Sequence, residues 1–366
     1  MNFIPLASPD LHEEDIMALN AVLKTGMLVQ GPKVLAFEKD VASFLKIDSA
    51  MAVSNGTATL HLALKTLGIG AGDEVIVPAF SYVATANVVE LVGAKPVFVD
   101  IEINTFNIDV TKIEAAITPK TKAIIPVHEF GLCCNIDAIM NIAAAHNLFV
   151  IEDAACALGA KQNNRYAGTF GNFGSFSFHP RKAISSGEGG LLVTSESMLA
   201  NKVRILRNHG VEMIDGKMEF VEAGFNYRMT DFQAALVNSQ FKRFESILAQ
   251  KNKIASIYLD QLTNPNFMLP EVPSDRNHTW QTFHILLNDN LDRNAVISDL
   301  MKKNIGTNYG AQCIPVQKFY QKKYNLNCVD LFPNSMTAYQ KGLAIPIYEK
   351  LTHENIAYII EQLNKI

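Results

Sequence analysis

From about residue 50 to 195, short β-branched runs alternate along the chain with longer amphipathic ones. The runs EVIVP (74–78), KPVFVD (95–100), KAIIPVH (122–128), LFVIED (148–153), SFSFH (175–179) and GLLVT (190–194) read as strands, each short and rich in apolar residues. Between them, IDAIMNIAAAHN repeats Ile136, Ile139, Met140 and Ala143 at helical spacing. Further helical patterns cover 196–208 and about 230–262. Strands alternating with helices predict an α/β fold built on a mostly parallel central sheet flanked by helices.

The Pro- and Asn-rich segment TNPNFMLPEVPSDRNHTW (263–280) interrupts this pattern. A strand-like TFHILL follows, then helices near 292–303 and 336–342 and a closing helix ENIAYIIEQLNK. The expected organisation is a large domain over 1–245, including the N-terminal segment, and a smaller C-terminal α+β domain over 246–366.

Composition narrows the function classes. With 366 residues, 48% hydrophobic, 19% charged and a formal charge of -4, the chain reads as a soluble globular protein with no basic surface for nucleic acid. The N-terminus lacks a basic segment followed by an apolar core, and no apolar run approaches the roughly 18 residues of a span, so neither signal peptide nor membrane segment is expected. The five cysteines, Cys133, Cys134, Cys156, Cys313 and Cys328, show no metal or redox spacing, which fits a reducing cytoplasm. The histidines form no HExxH-like pair, and no catalytic metal is expected.

Three stretches can carry chemistry. In SNGTATLHLALKTLG, a turn leads into a helix with Leu60, Ala63, Leu64 and Leu67 on one face and Gly68 at its C-terminal end. Gly56 and Thr57 would then be a plain cap, or would offer free amides and a hydroxyl to a phosphate at the positive end of the helix. In FVIEDAACALGA, Asp153 ends a strand where open α/β sheets place ligand groups, while Glu152 points to the opposite face. Asp153 is either a helix cap or a partner for a protonated ring nitrogen. In GSFSFHPRKAISSGEGG, Lys182 follows a strand and precedes the glycines, so this is no Walker loop. Alone, Lys182 reads as a surface lysine. Together with a phosphate cup and a strand-end aspartate, it completes the requirements of pyridoxal 5′-phosphate (PLP): a Schiff-base nucleophile, a group that keeps the pyridine protonated, and an anchor for the phosphate. Tyr82, in PAFSYVAT, is a core aromatic or a cover for one ring face.

These motifs resemble the nucleotide-sugar aminotransferases of the DegT/DnrJ/EryC1/StrS family, in the fold-type I class of PLP transferases. The resemblance runs through GPKVLAFEKDVASFL, VSNGTATLHLAL, GDEVIVPAFSYVATANVV, VIEDAACALGA, GSFSFHPRK, GEGGLLVT, RNHG, GFNYRMTDFQAA and GLAIPIYEKLT. It implies that Lys182 is the Schiff-base lysine and Asp153 the pyridinium partner. Gly56, Thr57 and Ser177 would contact the phosphate, and Tyr82 would stack on the ring. Cys156 stands where many relatives carry Gln or His beside the cofactor. Asn226 resembles an asparagine that reaches the phosphate of the neighbouring subunit, which implies a homodimer with shared active sites. Lys182 also argues against the dehydratase branch, in which histidine replaces the lysine.

The implied reaction moves an amino group from L-glutamate, released as 2-oxoglutarate, to the C4 keto group of a nucleotide-linked 4-keto-6-deoxyhexose, such as a UDP-2-acetamido-4-keto-2,6-dideoxyhexose. NYRMTD resembles the C4-aminating members. The rivals are amination at C3 or of a cyclitol, and a non-catalytic PLP-binding regulator. On the substrate side, His179 lines the pocket or merely ends a strand. Arg228 serves an anion or the subunit interface, and Asn308 and Tyr309 are sugar contacts on the small domain.

Overall fold

The computed structural model describes residues 2–366. Seven strands form the main sheet: β1 (Ser49–Val53), β2 (Glu74–Pro78), β3 (Lys95–Val99), β4 (Thr121–Ile124), β5 (Phe149–Asp153), β6 (Phe173–Ser177) and β7 (Gly190–Thr194). Their spatial order is β1-β7-β6-β5-β4-β2-β3, and β7 alone runs against its neighbours. Both faces are covered, and alternate side chains of each strand enter opposite cores. Ile76, Leu191 and Val193 face one, and Val75, Val77 and Leu192 the other. Two-sided burial is why these strands are continuous apolar runs rather than alternating ones. The arrangement is the mostly parallel, helix-flanked α/β sheet that the chain pattern predicts.

The expected strands at 74–78 and 190–194 match. SFSFH lies two residues too late, since β6 ends at Ser177 and Phe178 already turns, its amide donating to Gly189 O at 2.8 Å. KAIIPVH is strand only to Ile124, and Pro126, which has no amide to pair, begins an irregular extension. β1 carries the sequence SAMAV, whose alanines and single β-branched residue, Val53, hide it as a strand. The helical pattern over about 230–262 resolves into two helices, Asp231–Phe241 and Phe244–Gln261. The break lets Arg243 reach back to the carboxylate of Asp15 at 2.7 Å.

A second, antiparallel sheet of β8 (Phe267–Met268), β9 (Phe283–Leu287) and β10 (Gly342–Ile345) packs with helices Arg293–Lys302 and His353–Asn364. Its core contains Ile254, Tyr258, Phe283, Ile285, Leu300 and Leu363, joined by Ile4 from the N-terminal segment. The helix Phe244–Gln261 feeds both cores, Phe244 and Ile247 one and Ile254 and Tyr258 the other. The expected boundary at 245/246 therefore falls in its first turn. Among the described residues no helix is long and apolar enough to cross a membrane.

Because β7 is the lone reversed strand, β1, β2, β4, β5 and β6 all end at one edge of the sheet. That edge is where an open α/β sheet binds ligands.

Candidate active site

A cavity of about 790 Å³ opens at this edge, and Gly56, Thr57, Tyr82, Asp153, Cys156, Ser177, His179 and Lys182 all line it. Eight residues spread over more than a hundred positions of chain thus converge on one space.

The first wall is the start of the helix Gly56–Thr66. Asn55 caps it, its side-chain oxygen accepting from the Ala58 amide at 2.8 Å, while the Thr59 amide donates to Asn55 O. The amides of Gly56 and Thr57 are left without a partner among the described residues, at the end of the helix that favours an anion. A Cβ at position 56 would stand 2.8 Å from the Cβ of Ser177, so only glycine lets the helix start lie against the end of β6. The cup is closed by Ser177 on one side and by the exposed Thr57 on the other.

Asp153 forms the second wall. Its carboxylate accepts from the Thr85 hydroxyl at 2.8 Å and from the Ala155 amide at 3.2 Å. Burial raises its pKa above the usual carboxylate range, and the Thr85 bond and the Lys182 charge offset this only in part. Glu152 points away, as strand alternation requires, and binds His128 Nε2 at 2.9 Å and the amides of Gly168, Phe170 and Gly171 at 2.7–2.8 Å. It ties the loop after β5 into the sheet and takes no part in the cavity.

Lys182 approaches from the third side. Its turn is held by the Lys182 amide donating to His179 O at 2.8 Å and by Ser186 donating to Phe178 O at 3.0 Å. Gln240 locks the loop from behind, accepting from Ser185 N and donating to Ser185 O. The lysine Nζ lies 3.0 Å from the Sγ of Cys156, whose thiol pKa burial pushes up. His179 stands in the cavity wall with its pKa lowered by burial, so its ring is neutral at neutral pH. Gly187, at φ +80°, makes the return into β7.

Tyr82 lines the cavity at its mouth and is 66% exposed, so it is not a core aromatic. Four further candidates lie outside the lining. Asn226 is exposed, although its neighbour Tyr227 lines the cavity. Arg228 donates to the Asn208 side chain at 2.5 Å. Asn308 uses its side chain to accept from the Gly310 amide at 2.9 Å, and Tyr309 packs on Tyr339 while Gly310 and Ala311 reach the cavity. Thr85, Glu129 and Tyr227 also line the cavity and are not singled out by the sequence. Thr85 stands three residues after Tyr82 in PAFSYVAT, in the first turn of the helix Ala84–Leu91, and only the tertiary approach of that helix to β5 gives it Asp153 as a partner.

The donor set fits PLP. There is an anion cup for the phosphate, a buried carboxylate for the ring nitrogen, and an amine lining the same cavity.

Comparison with known proteins supports the same reading. Residues 9–364 match the DegT/DnrJ/EryC1/StrS aminotransferase family. The chain is 37% identical to the spore coat polysaccharide biosynthesis protein SpsC of Bacillus subtilis, over 100% of this chain and 97% of that one. It is also 37% identical to the GDP-perosamine synthase of Caulobacter vibrioides, covering 99% and 98% of the two chains. Among solved structures, Helicobacter pylori PseC, an aminotransferase involved in the biosynthesis of pseudoaminic acid, superposes with a TM-score of 0.94 at 27% identity, covering 100% of this chain and 98% of that one. Motifs, cavity and relatives converge: the chain belongs to the DegT/DnrJ/EryC1/StrS aminotransferase family and is a PLP-dependent sugar aminotransferase.

Proposed function

We propose that this enzyme takes an amino group from L-glutamate and places it on the C4 keto group of a nucleotide-linked 4-keto-6-deoxyhexose, for amino-sugar and surface-glycan biosynthesis. The observation that carries the reading is the meeting of Lys182, Asp153 and an anion cup in one cavity. The NYRMTD motif and the 37% identity to a GDP-perosamine synthase favour a 6-deoxy sugar aminated at C4.

Bound PLP supplies the aldehyde that stores the amino group and a ring that withdraws electrons. The chain's own residues do the rest. Gly56, Thr57 and Ser177 hold the phosphate. Asp153 keeps the ring nitrogen protonated, and Thr85 keeps Asp153 oriented. Lys182 holds the cofactor covalently between turnovers and, released as an amine, carries the proton from the donor carbon in one half-reaction and to the sugar carbon in the other. Tyr82 covers the ring from the mouth, and Cys156 packs beside it. His179 serves the substrate from the cavity wall, and Arg228, Asn308 and Tyr309, outside this lining, are assigned to the outer part of the substrate, Asn308 and Tyr309 as sugar contacts.

The same reading makes the enzyme a homodimer, with Asn226 completing the partner's phosphate site. Two surface features support it: Asn226 is exposed, and the hairpin Val211–Ile214/Lys217–Phe220 carries Met213, Met218 and Phe220 at 62–70% exposure. Apolar side chains grouped this way mark an interaction surface.

The test is a screen of 4-keto-6-deoxy nucleotide sugars, made with the matching dehydratases, with glutamate as donor and mass spectrometry as readout. The reading requires glutamate-dependent amination at C4. Amination only of 3-keto sugars or cyclitols would move the substrate, and no amination at all with PLP bound would leave a binding protein.

A further inference from the structure

One ionisable group in the cavity wall has no task in this account. Glu129 follows His128 on the extension beyond β4 and lines the cavity, yet it is only 5% exposed. Its Oε2 has no hydrogen-bond partner among the described residues. The Ser81 hydroxyl bonds to the carboxyl, and Asp153, Lys182 and Cys156 are its charged or ionisable neighbours.

The backbone fixes this placement. The Glu129 amide donates to Asn107 Oδ1 at 2.9 Å. Phe130 adopts φ +55°, rare for a large side chain, with its ring stacked on His284 at 4.4 Å. Gly131 follows at φ +102°, where a Cβ would stand 2.5 Å from Thr279 Oγ1. A chain held by three such contacts in succession cannot swing Glu129 out to solvent.

Burial pushes the Glu129 carboxyl up to about 8, against the pull of Ser81 and Lys182. At neutral pH it is therefore mostly an acid, with one O–H to donate. A buried donor without an acceptor is unfavourable, and the open direction leads into the cavity.

Building on the function proposed above, we infer that Glu129 is a further ligand-binding residue of this site, donating a hydrogen bond from its carboxylic acid to an acceptor oxygen of the molecule held beside Lys182. That oxygen belongs either to the cofactor ring or to the carbonyl of the keto sugar, and the two sources separate experimentally.

The experiment compares Glu129→Ala, which removes the donor, with Glu129→Gln, which keeps one of similar shape. PLP affinity and the pH at which the visible band of the loaded protein titrates are measured without substrate. KM and kcat follow for each substrate. If the cofactor is the acceptor, Glu129→Ala weakens PLP binding roughly tenfold or more and moves the spectral titration. If the sugar is the acceptor, both stay near wild type and KM for the keto sugar rises by a similar factor. In either case Glu129→Gln stays within about threefold of wild type. The inference is overturned if Glu129→Ala matches wild type in PLP affinity and in KM, or if Glu129→Gln is as impaired as Glu129→Ala. Should the alanine variant not fold, infrared difference spectra decide: a protonated-carboxyl band at neutral pH must be present in wild type and missing from Glu129→Gln. Failure of wild type itself to bind PLP would instead sink the proposed function.

Discussion

Asp153→Asn separates the stability of the cofactor-free chain from its capacity to hold the cofactor. Asp153 is buried, with its pKa raised by that burial and only partly restored by the bonds from Thr85 and Ala155. The folded chain therefore holds this proton more tightly than the unfolded chain, and ionising Asp153 subtracts from stability. The subtraction is absent below the unfolded carboxyl value of about 3.9 and grows as pH rises towards the raised folded value. Asparagine has the same shape and no charge. It keeps the 2.8 Å bond from Thr85 and gives up the longer one from the Ala155 amide. The melting temperature of the variant relative to wild type should thus increase as pH rises from about 4 to neutrality. PLP reverses the sign. Removing one partner of a buried, hydrogen-bonded charge pair costs about 2–5 kcal/mol, roughly thirtyfold to several-thousandfold in Kd. Thermal melts of the cofactor-free proteins across this pH range and fluorescence titration with PLP read the two effects separately. A variant that loses stability relative to wild type as pH rises, or that binds PLP as tightly as wild type, would refute the role given to Asp153.

Two other substitutions test neighbouring parts of the site. Glu152→Gln should lower folding stability by about 2–4 kcal/mol in urea melts, because the new amide NH₂ must face at least one N–H donor. His128 cannot relieve this by changing tautomer, since its Nδ1 already accepts from the Cys134 amide at 3.1 Å. A loss under about 1 kcal/mol would show that this network is not the tie it is taken to be. Gly56→Ala forces a Cβ to within 2.8 Å of Ser177. Overpacking of this kind costs about 1–3 kcal/mol, so PLP affinity should fall at least several-fold while Lys182 stays in place. Unchanged affinity would mean that the phosphate does not sit between these two residues.

Much of this site was legible from the chain because PLP chemistry demands particular residue types at strand ends and helix starts. Asp153, Lys182, Gly56 and Thr57 are readable on that basis and Ser177 only through the family resemblance, and the fold brings all five to one cavity. What stayed hidden depends on tertiary approach. Thr85 reads as an ordinary helix residue until its helix meets the end of β5. Glu129 reads as a surface charge until the Phe130–Gly131 turn buries it. Strand positions were clearest where both faces are buried, as in EVIVP and GLLVT, and least clear where the chain leaves the sheet to serve the site, as at Phe178. Asn308 is least legible of all, because its side chain accepts from the Gly310 amide of its own turn while Gly310 and Ala311 line the cavity.

The central claim is that Lys182 is the amine that carries the cofactor and serves aminotransfer. Borohydride reduction of the PLP-loaded protein, followed by peptide mass mapping with and without prior glutamate, tests it most directly. The account predicts a pyridoxyl group on Lys182 alone, lost when glutamate is added first and absent from Lys182→Ala. A label on another residue, such as the buried Lys251, or a Lys182 label that glutamate does not diminish, would contradict it.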